Sequence, residues 1–165
     1  MLQGIAHIPP GEGRSLWVLG ELVTCKTTSE ETGGAYSLFE VTTQPGGRVL
    51  AHVQHREEES FYVLEGEYEF LVEGRTSRAS AGSLIYLPRG NLHTHKNVSE
   101  VVGRMLVSQT PGGLYERFFE EVGKPVTGEA VPLVLEDQPN LERSVTIGAQ
   151  YGIEIPPPFA QRRRA

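Results

Sequence analysis

The chain has 165 residues, a net charge of −6 and a pI of about 5.4, a balance that argues against a nucleic-acid partner, whose phosphates need a basic face. Its 19 glycines and 11 prolines interrupt the chain too often for a helical bundle and favour many short strands in a single domain over 1–165. No apolar run approaches the roughly 18 residues needed to span a bilayer.

The first 14 residues read as an extended arm broken by Pro9-Pro10-Gly11 and Gly13. Gly11-Glu12-Gly13 is no phosphate loop, because no strand precedes it and no helix follows. Residues 16–19 and 21–27 read as strands, and 29–34 as a polar loop ending in Gly33-Gly34. Residues 36–43 alternate apolar and polar side chains, the period of a half-buried strand. After the Pro45-Gly46-Gly47 turn comes a strand at 48–54. Residues 60–64 and 68–73 are expected to form a hairpin around Glu65-Gly66-Glu67, and Gly74-Arg75 a turn. Further strands follow at 83–87, stopped by Pro88-Arg89-Gly90, at 91–95 and at 100–109. Short strands at this spacing predict an antiparallel sandwich or barrel, with its core over about 35–110.

The pattern changes in a helical extension over 111–165. Leu114, Phe118, Phe119 and Val122 share one side of a predicted helix stopped by Gly123 and Pro125. A loop rich in Pro, Gly and Val leads to a second predicted helix, about 139–151, with Leu141, Val145 and Ala149 on one face. Arg162-Arg163-Arg164 reads as a solvated tail. Cys25 is the only cysteine, so no intramolecular disulfide forms, which fits a reducing compartment. Met1-Leu2-Gln3-Gly4 has no basic region followed by an apolar run, so no signal peptide is expected and the expected location is cytoplasmic, with no membrane partner.

The residues that carry chemistry lie within 46–97. His52 and Gln54 are two apart and point to one face of their strand, Glu59 leads into the next strand, and His93 lies on a later one. In a small barrel these side chains can converge, and two imidazoles with one carboxylate leave coordination positions open on a transition metal. The spacing is regular: Gly46, five residues, His52, one residue, Gln54, four residues, Glu59, six residues, Gly66. Then comes Gly82, five residues, Pro88-Arg89-Gly90, two residues, His93, three residues, Asn97.

These spacings resemble the two cupin motifs, with Gln54 in place of the first motif's second histidine. The flanks at 32–40 (TGGAYSLFE), 61–67 (FYVLEGE), 111–119 (PGGLYERFF) and 150–154 (QYGIE) are similar to single-domain cupins related to bacterial quercetin 2,3-dioxygenases. The resemblance implies an all-β cupin double-stranded β-helix (jelly-roll) barrel with a short helical C-terminal extension, often a homodimer. It implies one divalent transition metal (iron, manganese, nickel, cobalt or zinc) on His52, Glu59 and His93, with Gln54 at the fourth place. Glu59 would also inherit the role of base toward a substrate hydroxyl.

Gln54 offers only a neutral amide oxygen, a weaker donor than imidazole. Three arrangements follow: three ligands with Gln54 at a distance, a weakly occupied site, or a neighbouring histidine in compensation. His95 shares the face of His93 and is a cavity-lining group or substitute ligand, while His55 would need a β-bulge to turn inward. Tyr36, Phe70, Tyr86 and Met105 are candidates for the cavity wall. Glu57 and Glu58 read as a solvated acidic turn, and Arg89 as a salt-bridging residue. The leading expectation is a metal-dependent dioxygenase acting on a small hydroxylated aromatic, flavonol-like or enolisable substrate. A non-catalytic small-molecule-binding cupin with a degenerate metal site, or a metal-assisted isomerase or cyclase, are the other expectations.

Overall fold

The computed structural model describes residues 4–126 and 140–157. Two antiparallel sheets face each other across the core. The larger runs β11-β1-β2-β3-β10-β5-β8, from β1 (Arg14–Val18), β2 (Glu21–Thr27), β3 (Ser37–Thr43), β5 (Glu58–Glu65), β8 (Leu84–Leu87), β10 (Gly103–Thr110) and β11 (Lys124–Pro125). The smaller runs β12-β4-β9-β6-β7, from β4 (His52–Gln54), β6 (Glu67–Val72), β7 (Arg75–Ser80), β9 (Leu92–Asn97) and β12 (Ile153–Glu154). Strict alternation drives the closure. Ser37, Phe39, Val41 and Thr43 of β3 are buried in turn, as are Met105, Val107 and Gln109 of β10, while Tyr68 and Phe70 of β6 meet them from the other sheet.

Residues 60–64 and 68–73 are strands as expected, but not a hairpin. β5 pairs with β10 and β8, whereas β6 pairs with β7 and β9 in the opposite sheet. The chain crosses between sheets at Gly66, whose φ of 82° and 3.0 Å clearance to the Cα of Gly103 leave no room for a side chain. β7 has no counterpart among the expected strands: its sequence RTSRAS buries only Ala79, so an exposed edge strand carries no apolar alternation. The strand expected at 48–54 shrinks to β4, with an isolated Arg48–Lys96 bridge before it.

Helix α1 (Leu114–Val122) buries Tyr115, Phe118 and Phe119, so Tyr115 rather than Leu114 leads its inner face. Helix α2 (Leu141–Gln150) starts behind Asn140, whose side chain accepts from the Arg143 N–H at 2.9 Å. Its buried face is Ser144, Ile147 and Gly148, while Val145 and Ala149 point outward. Gly148 sits where a Cβ would come within 3.0 Å of the Ile153 carbonyl oxygen, and this close approach selects the face. The expected loop and the triple-arginine tail fall on 127–139 and 158–165, outside the described residues. No helix among the described residues is long and apolar enough to cross a membrane.

The acidic turn is not solvated at Glu57, which is 1% exposed. Its two carboxylate oxygens accept the Leu114 N–H at 2.7 Å and the Tyr115 N–H at 2.9 Å, at the start of α1. Gly113 at the N-cap position offers no side chain, so Glu57 supplies the missing acceptors and a negative charge at the positive end of the helix. Burial pushes this carboxyl up to about 7, against the pull of the two hydrogen bonds. Glu57→Ala strands two buried donors, and urea denaturation should show a loss of about 1–3 kcal/mol; an unchanged midpoint would contradict this role.

Candidate metal centre

The site is built across the gap between the two sheets. Antiparallel pairing of β4 with β9 sets His52 directly opposite His93, with ring centroids 4.3 Å apart. Glu59 enters from β5 in the other sheet, opposite Gln109 of β10, whose Nε2 donates to Glu59 Oε1 at 3.0 Å. One ligand atom from each of His52, Glu59 and His93 lies within 4.8 Å of the others, and all three side chains are buried. His52 Nδ1 lies 2.8 Å from the Leu50 carbonyl oxygen, and His93 Nδ1 lies 3.0 Å from that of Asn91. Each carbonyl takes the Nδ1 proton, so the Nε2 lone pairs face the site.

The charges fit a cation. His93 Nε2 lies 2.8 Å from Glu59 Oε2, yet the contact is not aligned as a hydrogen bond and neither atom has another partner. A lone pair and a carboxylate oxygen held this close in a buried site repel unless a positive charge joins them. Burial, reinforced by His93, lowers the pKa of His52 to about 4 and keeps its ring neutral, as a ligand must be. Burial by itself would raise the pKa of Glu59, but the charges of nearby His93 and His52 and the hydrogen bond from Gln109 bring it down to about 2. Burial works against protonation of His93, and the Glu59 carboxylate reverses this and raises its pKa. The donor set and the two orphaned atoms therefore fit a divalent metal, which His52, Glu59 and His93 could hold.

Residues 39–108 match the model described as "Cupin domain". The chain has the cupin barrel fold. Over 122 residues, 74% of the chain, it is 25% identical to the quercetin 2,3-dioxygenase of Bacillus subtilis, so it resembles quercetinase-like cupins. The match spans only 36% of that relative's length. Among solved structures, a predicted oxalate decarboxylase from Thermotoga maritima superposes with a TM-score of 0.60 at 18% identity, covering 64% of this chain and 99% of that one. An oxalate oxidase in complex with glycolate is 28% identical with a TM-score of 0.50, over 58% of this chain and 55% of that one.

The cupin interior places the other sequence candidates variously. Gln54 is 3% exposed on the inward face of β4, and its amide nitrogen has no hydrogen-bond partner. His95 is buried one step beyond His93, its Nε2 2.8 Å from the Oε1 of buried Glu21, which also accepts from Thr43 Oγ1 at 2.8 Å. His55 is exposed and pairs with Glu154 at 2.8 Å, because alternation along β4 turns it outward and no bulge reverses it. Tyr36 is 41% exposed, since the inward alternation of β3 begins at Ser37. Phe70 and Met105 are core residues, Tyr86 is exposed and donates to Glu58 at 3.0 Å, and Arg89 lies 3.8 Å from Glu58.

Three site residues escaped the sequence reading. Gln109 and Glu21 are polar residues buried within strands, and Gln109 follows Met105 and Val107 on the inward alternation of β10. Tyr115 comes from α1, with its hydroxyl 3.2 Å from His52 Nε2. A partly open cavity of about 30 Å³ here is lined by His52, Glu59, His95, Glu21 and Tyr115 among apolar walls. Gln109→Leu frees Glu59 Oε1, and titration calorimetry with Zn²⁺ should show affinity falling by roughly 10- to 100-fold; unchanged affinity would show that Gln109 does not orient Glu59.

Proposed function

We propose that this cupin is a metal-dependent dioxygenase acting on a small hydroxylated or enolisable substrate. The observation that carries the reading is the convergence of buried His52, Glu59 and His93 on one point beside a largely apolar cavity. A bound transition metal would supply Lewis-acid polarisation of a substrate oxygen and a redox partner for dioxygen. His52 and His93 hold their rings still through the Leu50 and Asn91 carbonyls, so little reorganisation is needed on binding. Glu59 enters as the anion required of both ligand and proton acceptor, and it would take the proton of a substrate hydroxyl. Phe61, Val107 and Phe118 line the cavity with apolar surface and exclude bulk water.

The names of similar proteins support this class, since quercetin 2,3-dioxygenase and oxalate oxidase are both oxygen-using enzymes by name. The cavity volume favours the small, enolisable end of the substrate range over a flavonol. A second reading, a non-catalytic small-molecule-binding cupin, is favoured by Gln54, whose amide replaces an imidazole donor. A metal-assisted isomerase or cyclase would use the same carboxylate without oxygen.

Metal analysis after reconstitution with iron, manganese, nickel, cobalt or zinc should give one ion per chain. Oxygen uptake with a panel of small enols should then fall at least about 100-fold in Glu59→Gln. Sub-stoichiometric metal in every case would favour the non-catalytic reading, and turnover without oxygen uptake the isomerase.

A cytoplasmic homodimer belongs to the same proposal. Half-buried Cys25 is a free thiol, which fits a reducing compartment. The exposed Tyr62, Leu84 and Tyr86 on β5 and the edge strand β8 support self-association. Sedimentation equilibrium should give twice the chain mass; a single-chain mass, or recovery of the protein outside the cytoplasmic fraction, would count against it.

A further inference from the structure

We propose that the phenolic oxygen of Tyr115 is a donor to the metal at His52, Glu59 and His93, in place of the imidazole that Gln54 replaces. The inference rests on the reading that this triad holds a metal. Three observations point to the phenol. The first is distance: the Tyr115 hydroxyl lies 3.2 Å from His52 Nε2. Two donors each about 2.0–2.2 Å from one ion, at tetrahedral or octahedral angles, sit roughly 2.8–3.6 Å apart. The Tyr115 oxygen therefore stands where a ligand neighbouring His52 would stand.

The second is hydrogen-bond supply. His52 Nδ1 is committed to the Leu50 carbonyl, so Nε2 is the acceptor of the Tyr115 hydroxyl. A metal on Nε2 removes that acceptor, and a buried hydroxyl without a partner costs about 1–3 kcal/mol. Coordination as the phenolate, with the hydroxyl proton released to solvent as the metal binds, satisfies the same oxygen without moving the ring.

The third is fixation. The Tyr115 backbone N–H is tied to Glu57, two residues before Glu59. Its ring lies within 24° of the His52 plane at 5.9 Å and packs on Phe118 and Phe119 at 5.7 and 4.3 Å. A side chain held on every side contributes a donor at low entropic cost. By contrast, the Gln54 amide nitrogen is buried without a partner, and its oxygen would be a weak neutral donor. The phenol oxygen is hard, so it biases the site toward hard, oxidisable ions such as iron over zinc.

The test uses the full chain loaded with iron and oxidised to Fe³⁺. Tyr115 coordination gives a visible phenolate-to-iron charge-transfer band and tyrosinate modes in the resonance Raman spectrum. Tyr115→Phe keeps the ring and should lose both, with iron affinity reduced roughly tenfold or more. One iron per chain without the band, or a band that persists in Tyr115→Phe, overturns the Tyr115 assignment and leaves the triad intact. Failure of the wild type to bind iron or any other divalent metal overturns both. Should Tyr115→Phe not fold, the wild-type Raman modes decide, and their absence with iron bound contradicts the proposal.

Discussion

His52 and His93 face each other across a single antiparallel pair, and a slip of one residue in β4 would turn both His52 and Gln54 outward. β4 is only three residues long, too short to hold that register by its own ladder. The clamps lie on either side of it. Gly46 N–H donates to the Asn97 carbonyl at 3.0 Å, Asn97 N–H to Gly47 at 2.9 Å, and Val49 N–H to His95 at 3.1 Å. Beyond β4, Gly90 N–H donates to the Gln54 carbonyl at 2.8 Å, and β12 pairs Ile153 with Gln54. Thus the first glycine of one motif and the last asparagine of the other are joined, with the two histidines held between. The Asn97 side chain completes the clasp by donating to the Thr43 and Val101 carbonyls.

Burial of charge is the second constraint, and each buried carboxylate has its own solution. Glu59 has His93 and Gln109, Glu21 has His95 and Thr43, and Glu57 has the first N–H groups of α1. The third couples the C-terminal extension to the site. Glu57 and Glu59 are both buried just before and within the start of β5, one anchoring α1 and one joining His52 and His93 in the candidate site. Helix α1 then returns Tyr115 to His52, so the extension is a wall of the site and not an appendage.

What was legible in the sequence follows local periodicity and fixed spacing. The alternation of β3 and the run of β2 were readable because one face meets the core, and the two spacings identified the cupin barrel and brought His52, Glu59 and His93 together. The polar edge strand β7, the crossing at Gly66 and the inner face of α2 were not, because each is decided by a neighbour distant in sequence. Tyr115 is 63 positions from His52 and reads as one more aromatic on an amphipathic helix. Glu57 was hidden within an acidic run whose three members have different fates: a helix anchor, a partly exposed partner of Tyr86, and a site carboxylate.

The central claim is that the two sheets close around one metal ion held by His52, Glu59 and His93. Anomalous diffraction from crystals of the metal-reconstituted protein, collected on either side of the metal's absorption edge, tests it most directly. The account predicts a single anomalous peak per chain, within coordination distance of His52 Nε2, His93 Nε2 and Glu59 Oε2. A peak elsewhere, at exposed His55 and Glu154 for example, or no peak at the triad, would contradict it.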